Sequence, residues 1–327
     1  MPSFNAMSHI NRSGYINRAG DFVIRPAFDM AYAFSEGLAL VDVEGKYGFV
    51  NKSGELLIKP QYDEAMFFSE GLACVEFNGK CGYINTDGKF IVKPQYDTAF
   101  SRFCEGLTAV RKNKKYGFIN KNDEFVIRPK FDEASWFAEG LASVSINDKY
   151  GHIDKTGEIV IEFKYDFASP FDEGLACTRI ADKWNFINKT GMTVFRHPSF
   201  HGYTYFSEGL APVLIDAKWG FIDKNGAMVI EPQFDSATPF SEGLAFIEMN
   251  DKWSIINKNG KMVIKPQFGL VPHIFAEGLA PVLIDAKWGF IDRNGDFVIK
   301  PQFEVAGSFS EGLAPVMVKG FKNGNRS

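Results

Sequence analysis

The sequence predicts an all-β tandem array of about nine units of 34 or 35 residues, each a β-hairpin with a third strand, forming an open, twisted solenoid. Three observations carry this prediction. Glu-Gly-Leu recurs at Glu36, Glu70, Glu105, Glu139, Glu173, Glu208, Glu242, Glu277 and Glu311, always 34 or 35 residues apart. A fixed period in this range marks stacked supersecondary units rather than one globular domain. Within each period two short apolar runs flank a two-residue turn, and each hairpin carries apolar side chains on both faces.

The unit that starts at Glu208 shows the elements in order. Leu210 to Ile215 and Lys218 to Asp223 are extended runs separated by Asp216-Ala217. Other copies hold Glu44-Gly45, Asn78-Gly79, Asn147-Asp148 and Asn250-Asp251 in this slot. Several of these pairs tolerate the positive φ that a two-residue hairpin turn demands. A second turn follows, Asp223-Lys224-Asn225-Gly226, with Asn or Asp first and Gly last, the chemistry of a type I turn closed by a left-handed residue. Asp123 replaces that Gly in one copy. The third run, Met228-Val229-Ile230, is expected to stop at Pro232, which cannot donate to a ladder. A loop or single helical turn then leads to the next Phe-Ser-Glu-Gly.

The turn fixes the register: Leu214 pairs with Trp219, Val213 with Gly220, Pro212 with Phe221 and Ala211 with Ile222. Alternation across a strand places Leu210, Leu214, Trp219 and Phe221 on one face and Ala211, Val213, Gly220 and Ile222 on the other. A sheet apolar on both sides is covered on both sides, so the aromatic face of each hairpin is expected to seat on the small face of its neighbour, burying Trp219, Trp288 and Tyr116. The array spans residues 14–318, after an extension over 1–13 and before a tail over 319–327. It begins at Gly14-Tyr15-Ile16-Asn17 and ends on a lone first strand, Leu313 to Val318. Those fragments would complete one hairpin in a closed, propeller-like ring, the alternative to the solenoid. Nine units exceed the usual four to eight blades, and a solenoid needs no particular copy number.

The pattern resembles the bacterial WG-repeat (KWG) family, named for a Trp-Gly pair in a Lys-Trp-Gly-Phe-Ile-Asp context. The pair stands intact as Trp219-Gly220 and Trp288-Gly289. It is softened to Tyr47-Gly48, Cys81-Gly82, Tyr116-Gly117 and Tyr150-Gly151, and to Trp184-Asn185 and Trp253-Ser254. The resemblance implies an interaction module, with no common catalytic residues to carry over. Where Asn185 or Ser254 replaces Gly, close approach to a neighbouring hairpin is expected to loosen.

Composition narrows the function. Phe is unusually frequent, with 33 copies over nine repeats, so aromatic packing substitutes for a single deep core. A net charge of -4 without a Lys/Arg-rich stretch argues against nucleic acid or an anionic membrane as partner. The polar N-terminus and the lack of any bilayer-length apolar run point to a cytoplasmic protein without membrane insertion. Each of the four cysteines replaces an ordinary packing residue in one unit, which argues against a repeated disulfide or metal framework; Cys74 and Cys81 are able to face one side of one hairpin.

The repeated ionisable columns read as scaffold. The Glu of Glu-Gly-Leu either pairs with the basic column at Arg25, Lys59, Lys93, Arg128, Lys265 and Lys300, or accepts hydrogen bonds from loop amides. The Asp column at Asp29, Asp63, Asp97, Asp132, Asp166 and Asp235 closes a loop through backbone amides; calcium would need a second acid nearby. His152 fills the Phe221 column as a packed imidazole. No cofactor, metal site or catalytic constellation stands out, so an enzyme is not expected. Specificity is expected where the repeat breaks. Residues 195–206 depart furthest, with His197, His201, Tyr203 and Tyr205 as candidate partner-binding residues, and residues 269–275 depart next, with His273. Pro198 and Gly202 argue against a zinc-binding helix at His197 and His201. The reading is a non-catalytic scaffold for a protein partner; the alternative is a carbohydrate-binding module using exposed aromatic residues.

Overall fold

The computed structural model describes residues 11–99, 102–196, 204–269 and 274–320. Each repeat folds as an antiparallel sheet whose register is the one the turn dictates. Leu214 lies opposite Trp219, Val213 opposite Gly220 and Ala211 opposite Ile222. The hairpin tip takes positive φ at both residues, 47° at Asp216 and 62° at Ala217. In the second turn, Asp223 Oδ1 accepts the N–H groups of Asn225 and Ala227, each at 2.9 Å. Asp123 adopts the left-handed conformation of the Gly it replaces, with φ of 65°.

The third strand differs from expectation. It runs through the proline, as Met228–Phe234, and no helical turn follows. Trp219 pairs with Phe234 but Phe221 pairs with Ile230, so the third strand bulges between these points. Pro232 sits inside the bulge, where no ladder donor is required. The bulge explains the glycine. A Cβ on Gly220 would lie 2.5 Å from the Ile230 carbonyl oxygen and 2.8 Å from the Pro232 nitrogen. The close approach is therefore to the third strand of the same sheet, not to a neighbouring hairpin. Ser254 adapts by donating its hydroxyl to the Ile264 carbonyl at 2.6 Å. At Asn185 the pairing itself changes, with Asn185 opposite Arg196 and Phe186 opposite Phe195 in a third strand described over Thr193–Arg196.

A fourth strand escapes the sequence pattern because in most blades it is only two residues long. Ser236–Ala237 pairs with Glu248 and Ile247 of the following hairpin; among the described residues five of the nine sheets carry such a two-residue strand, and two more carry a six-residue one, Met30–Ser35 and Glu133–Ala138. Seven repeats are thus four-stranded blades, one strand richer than the predicted unit, and two show three strands among the described residues.

The open solenoid is overturned at the chain ends. Arg12–Ile16 pairs antiparallel with Ala314–Val318, Gly14 opposite Val316 and Tyr15 opposite Pro315. One sheet is therefore built from both termini, in the order Phe22–Phe28, Arg12–Ile16, Ala314–Val318, Val305–Ala306. Shared closure of one blade is β-propeller topology, and the nine sheets are its blades. The chain divides into two compact units: Met1–Gln61 with Phe268–Ser327, and Tyr62–Gln267. That the first unit draws on both ends is a direct consequence of the closing sheet.

Within each unit the core forms between successive sheets. Leu210, Phe221, Phe234 and Phe240 pack on Ala245, Ile247 and Ile256 of the next repeat, with Trp219 at the margin. Across the closing sheet, Trp288 and Phe290 meet Ile16, Ala314 and Val316 in the same way. Trp288 and Trp253 are buried, whereas Trp219, Trp184, Tyr47, Tyr116 and Tyr150 are half-buried, with one edge on the core and one toward water. The expected burial holds for Trp288 and is only partial for Trp219 and Tyr116.

Candidate interaction surface

Repeated charges are consumed by the scaffold. Each Glu-Gly turn places Glu and Gly at positive φ, for example 55° at Glu208 and 85° at Gly209. The Glu carboxylate then reaches the Gly N–H of the next turn: Glu70 to Gly106, Glu105 to Gly140, Glu208 to Gly243 and Glu311 to Gly37. Its counter-ion is a lysine of the second turn in that next repeat, Lys121, Lys155, Lys258 and Lys52 respectively. The basic column at Arg25 and Lys59 is not the partner. Partial burial works against the ionised form of Glu105, but hydrogen bonds from Lys155 and the Gly140 amide outweigh it and hold the carboxyl below its ordinary range.

The Asp column clamps hairpin tips. Asp235 accepts Lys218 Nζ at 2.6 Å from one tip and the Asn250 N–H at 2.9 Å from the next. The lysine bond and then the amide bond lower its pKa. His152 is fully buried, with Nε2 2.8 Å from the Ser169 carbonyl and its ring 4.9 Å from Phe171. Burial depresses it to about 4, so it is neutral and packed, as its column requires. Cys74 and Cys81 share one face and one hydrophobic cluster as free thiols. The hydrogen bond between them pulls Cys81 down to about 7 and pushes Cys74 up. Among the described residues, no group of three or more His, Cys, Asp and Glu is placed to hold a metal ion.

One column breaks the repetition. The residue before the repeated Phe of Phe-Ser-Glu-Gly is Ala33, Phe67, Arg102, Trp136, Pro170, Tyr205, Pro239, Ile274 and Ser308 in turn. No two consecutive units agree. The Phe that follows is buried in every copy, while Phe67, Tyr205 and Ile274 are 43–44% exposed. A position set by the fold alone would not vary from Arg to Trp to Pro, and the column's partly exposed large side chains make it the candidate interaction surface.

Four residues of this column meet in a cleft of about 440 Å³, lined by Arg102, Trp136, Pro170, Phe171, Asp172 and Tyr205. The Arg102 guanidinium stacks over the Trp136 ring at 5.6 Å from its centroid. Asp172 stands where other units carry Ser, Cys or Ala. Burial, then the nearby Glu173 and Glu139, raise its carboxyl above the usual range. A cleft with a stacked cation, two aromatic walls and a carboxyl at its side offers apolar contact together with oriented polar groups.

A profile of the "WG containing repeat" matches the chain nine times, over residues 14–47, 47–81, 82–116, 116–150, 150–184, 186–219, 219–253, 253–288 and 288–320. The chain belongs to the WG-repeat family. No curated protein matches it. Among solved structures it resembles one described as "the eukaryotic initiation factor", at 12% identity and a TM-score of 0.61, covering 89% of this chain and 95% of that one. Hsv2p of Kluyveromyces lactis aligns at 10% identity and a TM-score of 0.44, over 69% and 91% of the two chains. At such identities the first likeness shows a shared fold and nothing of function.

In this WG-repeat propeller the candidates from the irregular stretch divide. Tyr205 is exposed and forms one wall of the cleft. His197, His201, Tyr203 and His273 lie outside the described residues. Arg102, Trp136 and Asp172 were not singled out by sequence reasoning, which compared whole units for irregularity. The signal was present in a single column, read downward: one position that changes from every unit to the next beside one that is always Phe.

Proposed function

We propose that this WG-repeat protein is a non-catalytic scaffold that binds a protein partner through the variable column, centred on the cleft of Arg102, Trp136, Asp172 and Tyr205. The observation that carries the reading is the contrast between columns. Glu, Gly, Leu, Asp and the Trp/Tyr positions are absorbed by turns, clamps and core, whereas the variable column leaves Phe67, Tyr205 and Ile274 exposed and Trp136 half-buried. Rigid sheets presenting variable, aromatic-rich loop residues suit protein recognition, where Trp, Tyr and Arg anchors dominate binding energy. Glycan binding is the weaker reading, because the regularly spaced Trp and Tyr pack between sheets and form no sugar platform.

The test compares affinity capture by the wild type, by Trp136→Ala/Tyr205→Ala, and by Val229→Ser on an exposed third strand. The reading expects a reproducible protein set with the wild type, retained by Val229→Ser and lost with the double variant. The same set recovered by all three would overturn it. A glycan array bound by the wild type and not by the double variant would favour the alternative.

A further inference from the structure

We propose a second binding site at the hairpin of the third repeat: a cationic cleft for an acidic segment of a peptide, independent of the variable-column surface. The run Arg111-Lys112-Asn113-Lys114-Lys115 is a short Lys/Arg-rich stretch, which corrects the expectation that the chain has none. Its residues stand out against their own columns. Lys112 occupies a position that holds Val43, Phe77, Ile146, Ile180, Ile215, Met249 and Ile284 elsewhere. Lys114 occupies the tip position of Gly45, Gly79, Asp148, Asp182, Ala217, Asp251 and Ala286, at a φ of 67° that Gly accepts more readily. Sibling repeats build the same hairpin without either lysine.

The cleft lies between this tip and the third strand, with a volume of about 610 Å³ and a lining of Lys112, Asn113, Lys115, Phe125, Arg128 and Pro129. The matching cleft of the second repeat is about 440 Å³ and has Phe77 where Lys112 stands. Lys115 is engaged by Asp132. Lys112 has only a long contact to Gln95 Oε1, at 3.4 Å, and lies over the Tyr96 ring. Arg128 and Lys114 form no ion pair among the described residues. Two cations of the lining, Lys112 and Arg128, therefore remain available over a floor that includes Phe125 and Pro129, with Lys114 next to the lining residue Asn113 at the tip, which suits an acidic group beside an apolar one. Two acids confine the patch: Asp97, held by Lys80 and by the Asn113 amide, and Asp132, held by Lys115. A positive region one hairpin wide suits a short acidic segment rather than the phosphate ladder of a nucleic acid. Carboxylate and phosphoryl groups share the chemistry that Arg and Lys recognise.

The test is fluorescence anisotropy with the full chain and three labelled probes: a peptide of Asp and Glu around one Phe, its phosphoserine counterpart, and a single-stranded oligonucleotide of equal charge. The comparison variant is Lys112→Ile/Lys114→Asp/Arg128→Glu, whose new residues all occur at the same column positions of sibling repeats, so the fold is retained. Binding of either peptide that weakens roughly tenfold or more in this variant, and not in Lys93→Glu, supports the site, and the better peptide identifies the anionic group. No wild-type binding to either peptide, equal loss in Lys93→Glu, or tighter binding of the oligonucleotide would overturn it.

Discussion

The Gly of the WG pair shows how one atom decides a repeat. A methyl group at Gly220 would meet backbone, the Ile230 carbonyl at 2.5 Å, and backbone cannot swing aside. Gly220→Ala should therefore destabilise the protein by about 1–3 kcal/mol, the cost of overpacking, measured as a lowered urea midpoint. An unchanged midpoint would mean the bulge yields freely. His152 carries a pH signature. Its folded pKa lies near 4 against the ordinary 6.5, so the unfolded chain binds the extra proton between those values. The stability lost as pH falls from 6.5 to 4 belongs partly to this group. His152→Phe, which restores the residue of sibling repeats, should flatten the fall in melting temperature over that window. Parallel curves for the two proteins would exclude His152 as the cause.

At the scale of the element, the hairpin was legible because a two-residue tip leaves only one register, and Leu214 opposite Trp219 follows by counting. The third strand was misread because Pro232 looks like a stop; a bulge that exempts it from donating has no sequence period. The inner strand, such as Ser236–Ala237, is too short for any alternation to show. The Glu-Gly turns link neighbouring sheets mainly through the carboxylate-to-amide bond. Loss of that bond to a charged acceptor outweighs loss of an exposed ion pair. Glu208→Ala should cost about 1–2 kcal/mol, and Lys258→Ala less than about 1 kcal/mol, in denaturant titrations. The reverse order would place the stabilisation in the ion pair.

The whole molecule turns on closure. The complementary fragments at the two ends were visible in the sequence, Gly14-Tyr15-Ile16 and Leu313 to Val318, but local pattern does not report the rotation between successive units. The aromatic-on-small packing that suits a solenoid suits a ring of blades equally well, so copy number and strand count tilted the expectation wrongly. The variable column was legible too, once each position was compared down the repeats instead of each repeat with its neighbours. The third-repeat basic cleft was hidden by a net charge of -4 that averages over the chain.

The claim that the chain ends share one blade is tested most directly by amide hydrogen exchange on the full chain and on a chain ending at Leu313. In the full chain the amides of Arg12–Ile16 should be protected like those of an interior strand, through their pairing with Ala314–Val318. Removing that distant strand should abolish protection at those Arg12–Ile16 amides that bond to it, not at those that face Phe22–Phe28, while the hairpin Leu141–Ile146 with Lys149–Asp154 exchanges as before. Unchanged protection of Arg12–Ile16 after the truncation would contradict the closed blade and return the molecule to an open array.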